Sequence, residues 1–407
     1  MALIAQKYGG SSVADAEKIK NVARRIAAVK EKGSQVVVVV SAMGKTTDNL
    51  ISLAHQITDH PDERELDVLL STGEIVSSTL LAMALQSLGH NAVSLSGAQA
   101  GIQTDAAYSR ARIVAVEKQR IVKELNAGKI VIVAGFQGIT PDMDVTTLGR
   151  GGSDTTAVAM AASLGAEICE IYTDVEGVFT ADPRLVPEAH KLREIGYEEM
   201  LELATYGAKV MHPRAVELGE LYNIPILVAS SFTESPGTII RGGLSMEVRN
   251  KVRGIAHDLN VAKVTVRGVP DKPGIATTIF EALAKDNISV DTIVQNASVE
   301  RVTDLTFTVA KSDLDKALKV VEPVAKSIGA RGCVADANLG KVSIVGTGMQ
   351  NAPGYAARMF RTLYEQGINI ELITTSEIRI TCIIDQSQVF KAVQALHKAF
   401  ELDKVQA

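Results

Sequence analysis

The chain has 407 residues, of which 46% are hydrophobic and 22% charged, enough apolar material for two or three packed domains. Lys and Arg number 42 against 47 Asp and Glu, a net charge of −5, and aromatic residues are 4% with no Trp. Such a chain lacks the basic face that nucleic acid or anionic lipid needs and the aromatic platform that single strands stack on, so neither is expected as a partner.

In chain order, the N-terminus lacks the charged head and long apolar stretch of a secretion signal. No apolar run approaches the ~20 residues that span a bilayer. The expected location is cytoplasmic, with no membrane attachment. Ala2–Gln6 reads as a short strand running into Lys7-Tyr8-Gly9-Gly10-Ser11-Ser12, and Ile19, Val22, Ala23, Ile26 and Val29 then recur at helical spacing up to Gly33. Val36–Val40 is an unbroken β-branched run, the mark of a strand buried on both faces of a parallel sheet; Ile130–Ala134 and Ile168–Tyr172 repeat it. Helical patterns fill Asp67–Leu88, Ser109–Asn126, Thr155–Leu164 and Glu198–Tyr222. The alternation predicts an α/β domain with a mostly parallel sheet between helices, whose ligands bind at the carboxyl ends of strands. The three cysteines, Cys169, Cys333 and Cys382, stand singly in apolar surroundings and read as reduced thiols.

The alternation stops near Arg241-Gly242-Gly243, and an internal repeat follows. Val264–Val269, Pro273-Gly274, Phe280 and Ile288–Asp291 match Val342–Thr347, Pro353-Gly354, Phe360 and Ile368–Glu371, at a constant offset of 80 residues from the prolines onward. Each copy reads strand, Pro-Gly turn, helix, strand, strand, helix, which predicts two ferredoxin-like α+β domains. The expected division is 1–243 for the α/β domain, 244–262 for a linker, and 263–336 and 337–407 for the repeats.

Two glycine-rich loops carry chemistry. Lys7–Ser12 joins a strand to a helix, so Gly9 and Gly10 admit a ligand to the backbone and the helix start offers free N–H groups to phosphate. Thr146–Thr156 (TTLGRGGSDTT) opens a second helix with Gly149, Arg150, Gly151, Gly152, Ser153 and Asp154. Two such helix starts in one sheet domain can approach a transferring phosphoryl group from opposite sides. Gly44-Lys45-Thr46 imitates the end of a P-loop, but the first glycine that motif requires would fall at Val39. Gly149-x-Gly151-x-x-Asp154 ends in aspartate, so the dinucleotide fingerprint fails, and HRD and DFG are absent. Leu70–Glu74, Tyr172–Arg184 and Lys209–Pro213 add carboxylate, hydroxyl and basic groups; singly each reads as a solvated loop.

Taken in order, KYGGSSV, VVVSAMGKTTDNL, LLSTGEIVSS, TTLGRGGSDTTA, YTDVEGVFTADPR and GAKVMHPRA resemble the successive signatures of the aspartate kinases. The repeats, with SDLDKAL, TSEIRI and LHKAFEL, resemble the paired ACT domains of that family. The resemblance covers essentially the whole chain and implies an amino-acid-kinase fold followed by two ACT domains. It implies an ATP-dependent phosphotransferase acting on the side-chain carboxylate of L-aspartate, with Mg²⁺ on the phosphates, as the first step of lysine, threonine and methionine biosynthesis.

On this resemblance Lys7 bridges the transferring phosphoryl group and Asp154 orients the cations around it. Lys7, Tyr8, Gly9, Gly10, Ser41, Thr173, Asp174, Phe179, Arg184, Lys209 and Val210 hold the nucleotide. Glu74 takes the substrate ammonium and Arg150 its α-carboxylate, with Thr47, Gly151, Gly152, Ser153 and Asp154 beside them. Lysine and threonine are the implied effectors, and a homo-oligomer, dimer or higher, forms through the ACT domains.

The repeats suggest where an effector would sit. Asp271, Gly274, Ile275 and Ala276 turn from strand to helix and present N–H groups to a carboxylate, with Asp271, Gln295 or Asn296 for the ammonium. Asn351, Ala352, Pro353, Gly354 and Tyr355 repeat that turn, with Asn369 and Glu377 as polar neighbours. Two rival readings remain at this stage: a kinase for glutamate or N-acetylglutamate, and an amino-acid sensor with an inactive kinase part. An internal start at Met246, giving a separate regulatory subunit, is also left open.

Overall fold

The computed structural model describes residues 2–208, 210–243, 252–296, 301–349 and 352–404. The chain forms two compact units, Met1–Phe179 with Lys191–Glu247, and Thr180–His190 with Val248–Ala407.

The first unit contains, in order, β1 (Leu3–Tyr8), α1 (Ala16–Glu31), β2 (Gln35–Val40), α2 (Thr46–Ile57), α3 (Glu63–Ser87), β3 (Ala92–Leu95), β4 (Ile102–Thr104), β5 (Ile113–Val116), α4 (Gln119–Asn126) and β6 (Ile130–Ala134). There follow β7 (Gln137–Ile139), β8 (Val145–Thr147), α5 (Gly152–Leu164), β9 (Ile168–Thr173), β10 (Glu194–Ile195), α6 (Tyr197–Thr205), α7 (Pro213–Leu221), β11 (Ile226–Ser230) and β12 (Thr238–Ile240). Eight strands make the main sheet in the order β10-β12-β11-β9-β1-β2-β6-β3, all parallel neighbours except β11 and β12; β5-β4-β7-β8 form a small second sheet.

Val36–Val40 are each fully buried, as their composition requires. Val36, Val38 and Val40 pack with Ile19, Val22 and Ile26 of α1 and Leu81 and Leu85 of α3. Helix α5 lies against β1, β2 and β9, on the side that the alternate valines face. Because β9, β1 and β2 are adjacent and parallel, Thr173, Tyr8 and Val40 end together on one edge, where open α/β sheets bind ligands.

Two of the expected helices differ. Ser109–Asn126 is strand β5 followed by α4, because the β-branched Ile113–Val116 pairs with β4 before helical spacing begins. Glu198–Tyr222 is broken into α6 and α7: Pro213 cannot donate to a preceding turn and instead starts α7, capped by His212, whose ring accepts from Arg214 N. Helix α3 is long and apolar enough to cross a membrane by length and composition, a feature the search for apolar runs overlooked. Half of that stretch is buried inside the unit, and the helix carries Asp67 and Glu74, so it is a core helix.

The second unit contains β13 (Gly254–Pro270), α8 (Ile275–Lys285), β14 (Ile293–Gln295), β15 (Val302–Val309), α9 (Leu314–Ser327), β16 (Gly332–Val345), α10 (Tyr355–Glu365), β17 (Leu372–Thr375), β18 (Arg379–Asp385) and α11 (Val389–Ala399). The repeats join edge to edge in a single antiparallel sheet, β14-β15-β13-β16-β18-β17. The central strands serve both: Gly254–Asp258 pairs with Lys341–Val345, and Lys263–Arg267 pairs with Gly332–Asp336. Residues 254–262, expected as linker, are therefore strand, held by buried Ile255, Ala256, Val261 and Ala262, and β16 runs unbroken through the expected boundary at 336. Two ion pairs sit at equivalent repeat positions, Asp291 with Lys341 and Glu371 with Lys263 (2.8 Å).

Each repeat has its own core. Val264, Ile279, Leu283, Phe307 and Val321 form one; Val342, Met359, Leu363, Val393 and Leu396 form the other. Thr180–His190, contiguous with the first unit in sequence, contributes Ala181 and Val186 to the second core, and Thr180 Oγ1 hydrogen-bonds His397 Nε2 (2.9 Å). The thiols of Cys169, Cys333 and Cys382 are free, and burial raises the pKa of each.

Candidate active site

The site grows from the edge where β1, β2 and β9 end. Lys7, on β1 between Val39 and Ile171, is 8% exposed, and its Nζ lies 2.6 Å from Asp154 Oδ1 in the first turn of α5. The two glycine-rich loops are thus tied together by one ion pair; the second opens α5 directly, whereas the first opens only a short 3-10 turn, Gly10–Val13, and α1 starts later at Ala16 under an Asp15 cap. Beyond Lys7, Gly9 N donates to Tyr172 O (3.1 Å), and Gly44 N donates to Gly10 O (3.0 Å), so the loop after β2 closes over the loop after β1. Ser41 N donates to Tyr8 O, and Ser41 O accepts from Ser77 Oγ on α3.

Helix α3 brings Glu74 to this loop. The approach depends on Gly73, where a Cβ would stand 2.8 Å from the Ala42 Cβ. Glu74 is 3% exposed; its Oε1 accepts from Ala42 N (3.0 Å), and its buried Oε2 has no hydrogen-bond partner. Burial raises its pKa to about 7, against the lowering effect of the Ala42 N–H. A buried carboxylate oxygen left open asks for a cation or donor from outside the chain.

The second loop is shaped from above by α7. Gly151 has φ +67°, and a Cβ there would fall 2.4 Å from the His212 ring, so only glycine passes under it. His212 N donates to Asp154 Oδ2 (3.4 Å). Burial holds the His212 imidazole below its ordinary pKa. Arg150 is exposed, Gly152 and Ser153 are buried at the start of α5, and Thr47 is half-buried in the first turn of α2. Thr173 and Asp174 follow β9, with Thr173 Oγ1 donating to Asp174 Oδ1 (3.2 Å); Phe179 bridges to Lys191.

Of the residues expected at the nucleotide, Lys7, Tyr8, Gly9, Gly10, Ser41, Thr173, Asp174, Phe179 and Val210 belong to the first unit, whereas Arg184 belongs to the second, where its guanidinium pairs with Asp182 (2.7 Å). Lys209 lies outside the described residues. His212, Asp67 and Arg214 were given no role by sequence reasoning. For His212 and Arg214 a signal was present in the GAKVMHPRA segment, with the histidine directly before an N1 proline; for Asp67 there was none.

In the second unit Gly274 and Gly354 both precede their helices with positive φ, +91° and +106°, and neither α8 nor α10 has a side-chain cap; Ile275 N, the first of α8, donates back to Lys272 O (3.4 Å). Asp271, Gly274, Ala276, Gln295 and Asn296 are exposed, as are Pro353, Gly354, Asn369 and Glu377; Ile275, Ala352 and Tyr355 are half-buried. Asn351 lies outside the described residues, as does Met246.

Comparison with known proteins agrees with this architecture. A model of the amino acid kinase family matches residues 2–230, and one of the ACT domain matches 264–323 and 342–400. An aspartokinase from Bacillus sp. (strain MGA3) is 51% identical over 402 residues, covering 99% of this chain and 98% of its own. Aspartokinase 2 of Bacillus subtilis (strain 168) is 50% identical over 404 residues, 99% of each chain. Among solved structures, E. coli aspartokinase III in complex with aspartate and ADP (R-state) is similar with a TM-score of 0.83 at 25% identity, covering 98% of this chain and 99% of that one. These relatives match the chain from end to end, and it belongs to the aspartokinases, kinases of the amino acid kinase family with two C-terminal ACT domains.

Proposed function

We propose that this chain transfers the γ-phosphoryl group of ATP to the side-chain carboxylate of L-aspartate, giving ADP and 4-phospho-L-aspartate. The observation that carries the reading is the pair of glycine-rich loops joined by Lys7 and Asp154, with the half-satisfied Glu74 on the same sheet edge. The E. coli relative solved with aspartate and ADP supports both substrates. The nucleophile is a carboxylate of ordinary pKa ~3.9, ionised at neutral pH, so no general base is required. The work is electrostatic: Lys7 and the amides near Gly9, Gly10, Gly151 and Gly152 offset the repulsion between an anion and a polyanion. Glu74 takes the ammonium and Arg150 the α-carboxylate, with Thr47, Ser153 and Asp154 alongside; Tyr8, Ser41, Thr173, Asp174, Phe179, Lys209 and Val210 attend the nucleotide. Among the described residues no three His, Cys, Asp or Glu side chains gather as a metal site. Mg²⁺ would enter on the ATP phosphates, a complex that needs at most one or two carboxylates of the chain. ADP release measured with a panel of aspartate, glutamate and N-acetylglutamate tests the reading. Aspartate should be used at least about tenfold better than either, and preference for another acid would overturn it.

Control resides in the repeats under the same proposal. The uncapped starts of α8 and α10 offer N–H groups to an amino acid carboxylate, with Asp271, Gln295 and Asn296 at the α8 end of the sheet and Glu377 in the β17–β18 turn at the α10 end; Asn369 follows the far end of α10. β14 and β17 are the two sheet edges, with Ile293 54% and Ile373 45% exposed, a surface suited to a second copy of the chain. Lysine is the favoured effector, since E. coli aspartokinase III has also been solved with lysine and aspartate (T-state); threonine rests on the family resemblance. The location proposed is cytoplasmic, at the entry to lysine, threonine and methionine synthesis. Asp271→Ala should keep uninhibited kcat within about twofold and raise the concentration for half-inhibition at least several-fold, because allostery is a separable coupling energy of ~1–3 kcal/mol. Inhibition curves for lysine, threonine and both together measure this. A variant inhibited as readily as its parent removes Asp271 from the pocket.

A further inference from the structure

Two charges in the first unit, fully buried Asp67 and half-buried Arg214, are spent on loop groups rather than on each other. Asp67 is fully buried on α3, and its carboxylate accepts four hydrogen bonds: Ser109 N (2.8 Å), Thr147 N (2.8 Å), Thr147 Oγ1 (2.6 Å) and Ser109 Oγ (3.5 Å). Arg214, in the first turn of α7, donates to Leu148 O (2.8 Å) and Ala111 O (3.0 Å). Burial and the nearby Arg112 depress its guanidinium pKa. Neither residue makes an ion pair among the described residues. Together they grip the same two stretches, 109–111 and 147–148, which are themselves joined by Ala111 N donating to Thr147 O (2.9 Å). The carboxylate takes the donors of this root and the guanidinium takes its acceptors.

What leaves the root is the loop Gly149-Arg150-Gly151. What shares α3 with Asp67, about two helical turns along and equally buried, is Glu74. What stands one residue before α7 is His212, over Gly151 and Asp154. Burying a carboxylate is costly unless its lone pairs are filled, and here they are filled by the strand that feeds Arg150.

We propose that Asp67 and Arg214 are positioning residues that fix the span between Arg150 and Glu74, and so set the selectivity for an α-amino-acid head group. The inference rests on the proposed roles of Glu74 and Arg150. The carboxylate of Asp67 makes α3 and the Arg150 loop one rigid piece; the fork of Arg214 ties that piece to α7. A loop anchored at its root reads the distance between ammonium and α-carboxylate, whereas a loose one binds either charge singly.

The test compares the parent with Thr147→Val, which removes one hydroxyl bond to Asp67 at constant shape, and with Asp67→Asn and Arg214→Lys. Kinetics are read against aspartate, aspartate α-amide and ATP, alongside Tm. The expected result is a KM for aspartate raised about 3-fold in Thr147→Val and about 10-fold in the other two, with KM for ATP within twofold. The ratio of kcat/KM for aspartate over its α-amide should fall several-fold in each, including the variant whose Tm is unchanged. If Asp67→Asn fails to fold, Thr147→Val and Arg214→Lys decide. Equal losses toward ATP and aspartate, or an unchanged aspartate-to-amide ratio, would mean the clamp is only structural and overturn the proposal. A parent that releases ADP but does not depend on aspartate would instead overturn the reading of Glu74 and Arg150 on which it rests.

Discussion

Lys7→Met is expected to lower kcat by about 10²–10³-fold, equivalent to ~2.7–4 kcal/mol of lost transition-state stabilisation. Lys7 Nζ lies 2.6 Å from Asp154 where the two glycine-rich loops meet, so its charge falls between them. The substitution also leaves the Asp154 carboxylate 8% exposed without its partner, and a buried charge stranded in this way destabilises a fold. The double variant Lys7→Met with Asp154→Asn separates the two effects. It should recover most of any loss in Tm while kcat stays down at least 10²-fold. If the single variant keeps more than about a tenth of parental kcat, the charge on Lys7 does not act on the transferring group.

The parts of this molecule that were legible in the sequence are those in which local chemistry leaves one option. Val36–Val40 has no polar face and must be buried on both sides. The loop at Gly151-Gly152 opens α5 as its composition suggests, whereas Gly9-Gly10 opens a 3-10 turn and α1 waits for the Asp15 cap. The offset between Pro273 and Pro353 survives because both copies need the same turn, and both carry a glycine at positive φ. What escaped was set by distant partners. Residues 254–262 look like a linker because their strand character depends on pairing with 339–345, far along the chain. Arg184 looks like part of a nucleotide loop, yet the segment holding it buries Ala181 and Val186 in the second unit's core. Asp67 and Arg214 sit on helices where a charge usually means solvent, and only the fold shows them turned inward to a loop root. Glu74 was legible as a carboxylate in a helix, but not its open oxygen, which follows from the close approach of Gly73 to Ala42.

That open oxygen makes the second large effect testable by its pH dependence. Glu74→Gln should lower kcat/KM for aspartate about 10–150-fold, the value of a charge-assisted hydrogen bond at ~1.5–3 kcal/mol, with KM for ATP within about twofold. Arg150→Lys should cost a similar amount, because a lysine cannot hold a carboxylate with two parallel bonds. The two differ in pH profile. Burial raises the Glu74 pKa to about 7, so in the free enzyme near pH 6 most of the carboxyl is neutral and cannot pair with an ammonium. For the parent, and equally for Arg150→Lys, kcat/KM for aspartate should therefore climb from pH 6 to 8 and level off. The same limb in kcat should lie at lower pH, since a bound ammonium favours the carboxylate. In Glu74→Gln the limb should vanish. Stability moves the other way. The folded-state pKa lies above the ordinary ~4.3, so the free native protein binds this proton more tightly than the unfolded chain. Its contribution is full below about pH 4 and is lost as pH rises through about 7. Relative to Glu74→Gln, the Tm of the ligand-free parent should fall between pH 5 and 8, and saturating aspartate should remove the difference. A Glu74→Gln variant that keeps the parental acid limb would move the ammonium site to another carboxylate.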